Sequence, residues 1–132
     1  MPVLALVPRE MRAAFERQLA AVNIDVTFID RAAELSAVTH TGKLFSVAIL
    51  PATLPDADLW VMWGELRLLN PRPEILIYAR SVNFQIWSGV LEAGGHDVLS
   101  EPFSAGELCK AVLDAKRTFE ERLERGVLGE TS

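Results

Sequence analysis

Val47-Ala48-Ile49-Leu50-Pro51 is an unbroken apolar run that a proline stops. Four apolar residues in a row suit a strand covered on both faces, because a half-buried strand would alternate apolar and polar residues. Two similar runs precede it. Val3 to Val7 is ended by Pro8 and Arg9, and Val26 to Ile29 stands midway. Two more follow, Ile75 to Tyr78 and the shorter Val98-Leu99. The stretches between these runs have helical spacing. Met11, Phe15, Leu19 and Val22 recur at three- and four-residue steps from about Glu10, and Asn23 closes that helix. Ala32, Ala33, Leu35 and Val38 predict a short second helix ended by Thr41-Gly42. A third runs from Leu59 to Leu69, with Asp56 or Asp58 as its cap, before Asn70-Pro71-Arg72-Pro73. Phe84 to Ala93 is a fourth, terminated by Gly94-Gly95. Ser104 followed by Glu107 is a capping box that opens the last helix.

Strand then helix, five times, predicts an α/β domain: an open, doubly wound, five-stranded parallel sheet in three α/β/α layers. Ala105 to Arg125 would span about 30 Å as a helix at about 1.5 Å per residue. A strand of five or six residues spans only about 17–20 Å. The expected organisation is therefore a domain over residues 1–118 and a helical extension and tail over 119–132. Phe119 and Leu123 would overhang the sheet.

Composition narrows the function. The 132 residues suit one core, and half of them are apolar. A net charge of −5 disfavours direct nucleic-acid binding, which needs clustered cations. Cys109 is the one cysteine, which forbids an intrachain disulfide and reads as a small hydrophobe in the last helix. A free thiol, and a first apolar run too short for a membrane span and without a basic flank, lead us to expect a cytoplasmic protein with no membrane association.

In such a sheet, ligands bind beyond the carboxyl ends of the strands. Pro8-Arg9-Glu10, Pro51-Ala52-Thr53, Tyr78-Ala79-Arg80 and Ser100-Glu101-Pro102 should therefore meet there. The first of these loops has no glycine, so a phosphate-cradling nucleotide site is not expected. His40 and His96 read as solvated loop residues away from those ends, and no nucleophile–base set is evident. We expect no enzymatic activity, no metal and no cofactor.

Leu91-Glu92-Ala93-Gly94-Gly95-His96-Asp97-Val98-Leu99-Ser100-Glu101-Pro102-Phe103-Ser104-Ala105-Gly106-Glu107-Leu108 resembles the end of a response-regulator receiver domain, which reads A-G-A-x-D-Y-L-x-K-P-F-x-x-x-E-L. Leu54-Pro55 resembles that family's loop after its third strand, and Ile77-Tyr78-Ala79-Arg80 resembles its fourth strand and the switch turn that follows. The likeness covers roughly residues 3–117 and implies a flavodoxin-like, CheY-like fold. It also implies five functional positions: an acidic pair for magnesium, an acceptor aspartate, a hydroxyl and a lysine. These fall on Pro8 and Arg9, Pro51, Tyr78 and Glu101, so all five depart. Proline offers no carboxylate, arginine repels a cation, and Glu101 reverses a charge that stabilises the transferred group.

The resemblance thus leads to a stand-alone, degenerate receiver that cannot be phosphorylated and acts by binding a regulatory or signalling protein. The few residues after the last helix lead us to expect no output domain, so that any downstream effect would come through a partner or a neighbouring chain. Arg9 and Glu101 are expected to form an ion pair, with Glu10 close by. Phe84, Trp87 and Leu91 of the fourth helix, with Phe119 and Leu123 of the last, form the expected interaction surface, and the last helix could hold a homodimer. The other reading is a sensor for a small anionic ligand held by Arg9, Tyr78 and Arg80.

Overall fold

Each apolar run is a strand in the computed structural model, which describes residues 1–53 and 58–131. The strands are β1 (Val3–Leu6), β2 (Val26–Ile29), β3 (Val47–Pro51), β4 (Glu74–Ala79) and β5 (Asp97–Ser100). The helices are α1 (Arg9–Ala20), α2 (Ala33–His40), α3 (Leu59–Arg67), α4 (Phe84–Glu92) and α5 (Ala105–Thr131). All strand pairs are parallel, in the order β2-β1-β3-β4-β5. This is the five-stranded, doubly wound (βα)5 architecture expected.

Side chains alternate across the central strands, so each strand supplies two cores. Val3, Ala5, Val47, Ile49 and Leu76 pack with Phe15 and Leu19 of α1 and Leu108 and Val112 of α5. Leu4, Ala48, Leu50, Ile75 and Ile77 pack on the opposite face with Leu35, Met62, Trp63, Leu66 and Val90 of α2, α3 and α4. The rims are β2 and β5, each four residues long. Lys43 Nζ donates to Thr27 Oγ1 of β2 (2.9 Å), and Asp97 Oδ1 accepts the Val98 amide of β5 (2.8 Å).

Local chemistry sets the helix ends. Pro8 (φ −58°) precedes α1, which starts one residue before the expected Glu10, and its carbonyl accepts the Met11 amide. Asn23, at φ 59°, turns the chain out of α1, a conformation that asparagine tolerates. Asp58 caps α3 by accepting the Trp60 amide at 2.7 Å. Asp56, Leu54 and Pro55 lie outside the described residues. Asn83, which the sequence reading passed over, caps α4 through the Ile86 amide. The Ser104–Glu107 box opens α5 as expected. After α4, Gly94 has φ 94°, and Gly95 sits where an added Cβ would meet Val90 Cγ1 at 2.5 Å and Trp63 Cη2 at 2.7 Å. Only glycine fits that approach.

The expectation that α5 overhangs from residue 119 is corrected. Phe119 is 2% exposed, and Leu123 is half-buried. Arg122 Nε lies 2.8 Å from Glu74 Oε1, its Nη2 donates to the Arg72 carbonyl (2.7 Å), and its guanidinium lies over the Phe119 ring. Lys116 reaches the Met1 carbonyl and Ser46. Strand length alone understates the footing of α5, because the segments that lead into β1, β3 and β4 extend the floor on which it rests. The core therefore continues past residue 118. His96 is not a solvated loop residue either: its amide donates to Ile75, and its Nδ1 lies 4.0 Å from Glu74 Oε2.

Candidate functional site

β1 and β3 are neighbours, yet the chain leaves β1 towards β2 and leaves β3 towards β4. Connections that diverge in this way open a crevice at the carboxyl ends. The crevice here holds about 560 Å3. Val7, Pro8, Met11, Pro51, Ala52 and Ile86 give it largely apolar walls, and Asp30, Tyr78, Arg80 and Glu101 add polar groups. Of the five positions implied by the resemblance, Pro8, Pro51, Tyr78 and Glu101 line this crevice and Arg9 does not.

Arg9 stands on the first turn of α1 with its side chain 84% exposed. Its Nε donates to Asp30 Oδ2 at 3.1 Å, and Arg12 Nη2 donates to Asp30 Oδ1. Arg12 also lies over the Phe28 ring, and the Asp30 amide donates to Glu34 Oε2. Glu101 has a different partner, Arg80, with Nε to Oε2 at 3.8 Å. The expected Arg9–Glu101 pair is thus not formed. Strand order explains this: β1 and β5 are three spacings apart, roughly 14 Å at about 4.8 Å each. Asp30, by contrast, follows β2, the neighbour of β1. Asp30 was missed because sequence gives the strands but not who sits beside whom.

Tyr78 is buried at the end of β4, with its ring against Phe15 and Phe103. Its hydroxyl donates to the Leu6 carbonyl at 2.9 Å, joining the ends of β4 and β1 across β3. Burial, and secondarily the negative charge of Glu101, push the phenol well above its usual range. The group is a fixed neutral donor, already engaged.

The residues present do not fit a hard divalent cation, which takes several oxygen ligands. Pro8 and Pro51 carry no side-chain oxygen, and Asp30 is occupied by two guanidinium groups. Among the described residues, no three His, Cys, Asp or Glu side chains gather as a metal site would require.

A second groove, of about 450 Å3, lies between α3 and α4, beside Leu59, Trp60, Gln85 and Ile86. Of the residues expected to form an interaction surface, Phe84 (76%) and Trp87 (44%) are exposed. Leu91 and Leu123 are half-buried, and Phe119 is withdrawn into the molecule.

The architecture recurs among solved structures. A response regulator receiver domain protein from Clostridium thermocellum superposes with a TM-score of 0.78 at 15% identity, over 91% of this chain and 98% of that one. A CheY-like receiver domain protein from Methanospirillum hungatei gives 0.77 at 14%, over 92% and 98%. The chain has the receiver fold. A structure described as adenylate cyclase from Rhodopirellula baltica shares it, with a TM-score of 0.82 at 16% identity over 98% and 96%. No protein-family model and no curated protein matches the chain. Among the described residues, no helix of this receiver-fold chain is long and apolar enough to cross a membrane.

Proposed function

We propose that this chain is a signalling module of receiver fold that acts by binding another protein, without taking up a phosphoryl group. The observation that carries the reading is the chemistry at the strand ends. Proline replaces a carboxylate at two of them, the β4 hydroxyl is engaged by Leu6, and the charge after β5 is negative. A transferred phosphoryl group would find no acceptor at Pro51 and no counter-charge at Glu101. The docking surface we assign is the exposed aromatic pair of α4, Phe84 and Trp87, whose ring centroids lie 6.3 Å apart. Aromatic side chains are the usual anchors of protein interfaces.

Incubation of the full chain with acetyl phosphate and magnesium, read by intact mass, should give no phosphoryl adduct. A stoichiometric adduct on any carboxylate would overturn the first half of the proposal. A photo-crosslinking residue at Phe84 should capture a discrete protein adduct in cells, whereas one at the exposed Glu16 of α1 should not. Equal yields at both sites would remove α4 as the docking surface.

A second reading, a small-ligand sensor, is favoured by the crevice itself, whose volume lies in the roughly 300–1,000 Å3 range of ligand pockets. The anion-binding version is weakened, because Arg9 is committed to Asp30 and Tyr78 to Leu6.

A further inference from the structure

We infer that the crevice at the carboxyl ends of β1, β3 and β4 is a binding site for a small organic cation, an apolar amine or amidine, with Glu101 as its counter-charge. This deepens the small-ligand reading above and reverses the sign of the ligand.

The inference comes from how charge is distributed around the crevice. At the β2 side, Asp30 accepts from both Arg9 and Arg12, so each of its oxygens already has a guanidinium donor. At the β5 side, the Glu101 side chain is only 20% exposed and lines the crevice. Its one close cation among the described residues is Arg80, which is 96% exposed and 3.8 Å away. A pair of that kind is loose and contributes little. Among the described residues, no donor forms a hydrogen bond to the Glu101 carboxylate. An ionised carboxyl has roughly four lone-pair sites, and those of Glu101 are left open to whatever enters the crevice. Tyr78 cannot be that donor, because its proton is given to Leu6. The negative charge is felt in the crevice: it adds to burial in raising the Tyr78 phenol.

The remaining walls, Leu6, Val7, Pro8, Met11, Pro51 and Ile86, suit a hydrocarbon body. A ligand with an apolar body and a cationic head satisfies both features at once. An anion would be repelled by Glu101, and a neutral analogue would gain only from the walls.

Matched probes of one shape test this: benzamidine, benzamide and benzoate, titrated calorimetrically into the full chain, with amide NMR shifts to place each one. Benzamidine should bind at least roughly tenfold more tightly than the other two, as a charge-assisted hydrogen bond implies. Its shifts should centre on Val7, Ala52 and Ala79. Glu101→Gln should bring benzamidine down to the level of benzamide. Arg80→Ala, at a fully solvated side chain, should strengthen benzamidine binding by removing its competitor, so the proposal does not depend on the stability of one variant. Benzamide or benzoate binding in the crevice as tightly as benzamidine would sink the cation assignment and leave the small-ligand reading standing. Weaker benzamidine binding in the Arg80 variant would also sink it. Failure of all three probes to move the crevice amides would end both.

Discussion

Tyr78 closes the ends of two strands with one hydroxyl, and its removal isolates that contribution. Tyr78→Phe keeps the ring against Phe15 and Phe103 but leaves the Leu6 carbonyl without this donor. The expected cost is about 1–2 kcal/mol, read from urea unfolding. The same residue predicts a pH dependence. Its folded phenol is raised above the unfolded value of about 10, so its contribution is complete below that pH and is lost as pH rises beyond it. The stability difference between wild type and Tyr78→Phe should therefore be flat below about pH 10 and shrink above it. Gly95 gives a steric counterpart. Gly95→Ala drives a methyl group into Val90 and Trp63 and should cost roughly 1–3 kcal/mol, since backbone at the Val90 carbonyl also stands in the way. At this scale the sequence was partly legible. The residue types at the strand ends could be read off and their departures argued, and Tyr78, Pro51 and Glu101 do share one crevice. Their partners could not be read, because Arg9 finds Asp30 through strand adjacency rather than chain proximity.

Among the elements, α5 departs furthest from what spacing alone suggests. Its repeating apolar residues were readable, but its footing was not, because Met1, Ser46 and the Arg72–Glu74 segment meet it from three other parts of the chain. Glu74 is a nearly buried carboxylate held by Arg122, whose Nε lies close but off the hydrogen-bond line. Arg122→Ala would leave that charge without its main partner. Fully buried pairs lose about 3–5 kcal/mol in this way, and the residual exposure of both side chains here lowers the expectation to about 2–3 kcal/mol. The double variant Glu74→Met, Arg122→Met should recover most of that loss, since replacing both ions by apolar groups removes the desolvation penalty as well. Denaturant curves for the two variants would separate charge stranding from lost packing. Recovery absent in the double variant would mean that the guanidinium's other contacts, over the Phe119 ring and to the Arg72 carbonyl, dominate.

For the whole molecule, the continuity of α5 turns a domain-boundary question into a stability question. A chain ending at Thr118 loses Phe119, worth about 3–5 kcal/mol as a buried phenylalanine, together with the Arg122 contacts. Against a total stability of about 5–15 kcal/mol, that truncation should melt far below the full chain or fail to fold, as circular dichroism would show. A truncated chain that melts with the full one would mean that the sheet and first four turns of α5 suffice. The order of strands and helices was legible because buried parallel strands write themselves as unbroken apolar runs, and only short pieces such as β5 needed the adjoining turn chemistry. The rims of the sheet have a consequence for behaviour in concentrated solution. An open β edge invites a foreign strand, and long, flat, uncharged edges seed fibres. Here each edge is four residues long, Lys43 stands beside β2, and Asp97 already holds an amide of β5. Crowded or warmed, this protein should lose its packing before it polymerises edge to edge.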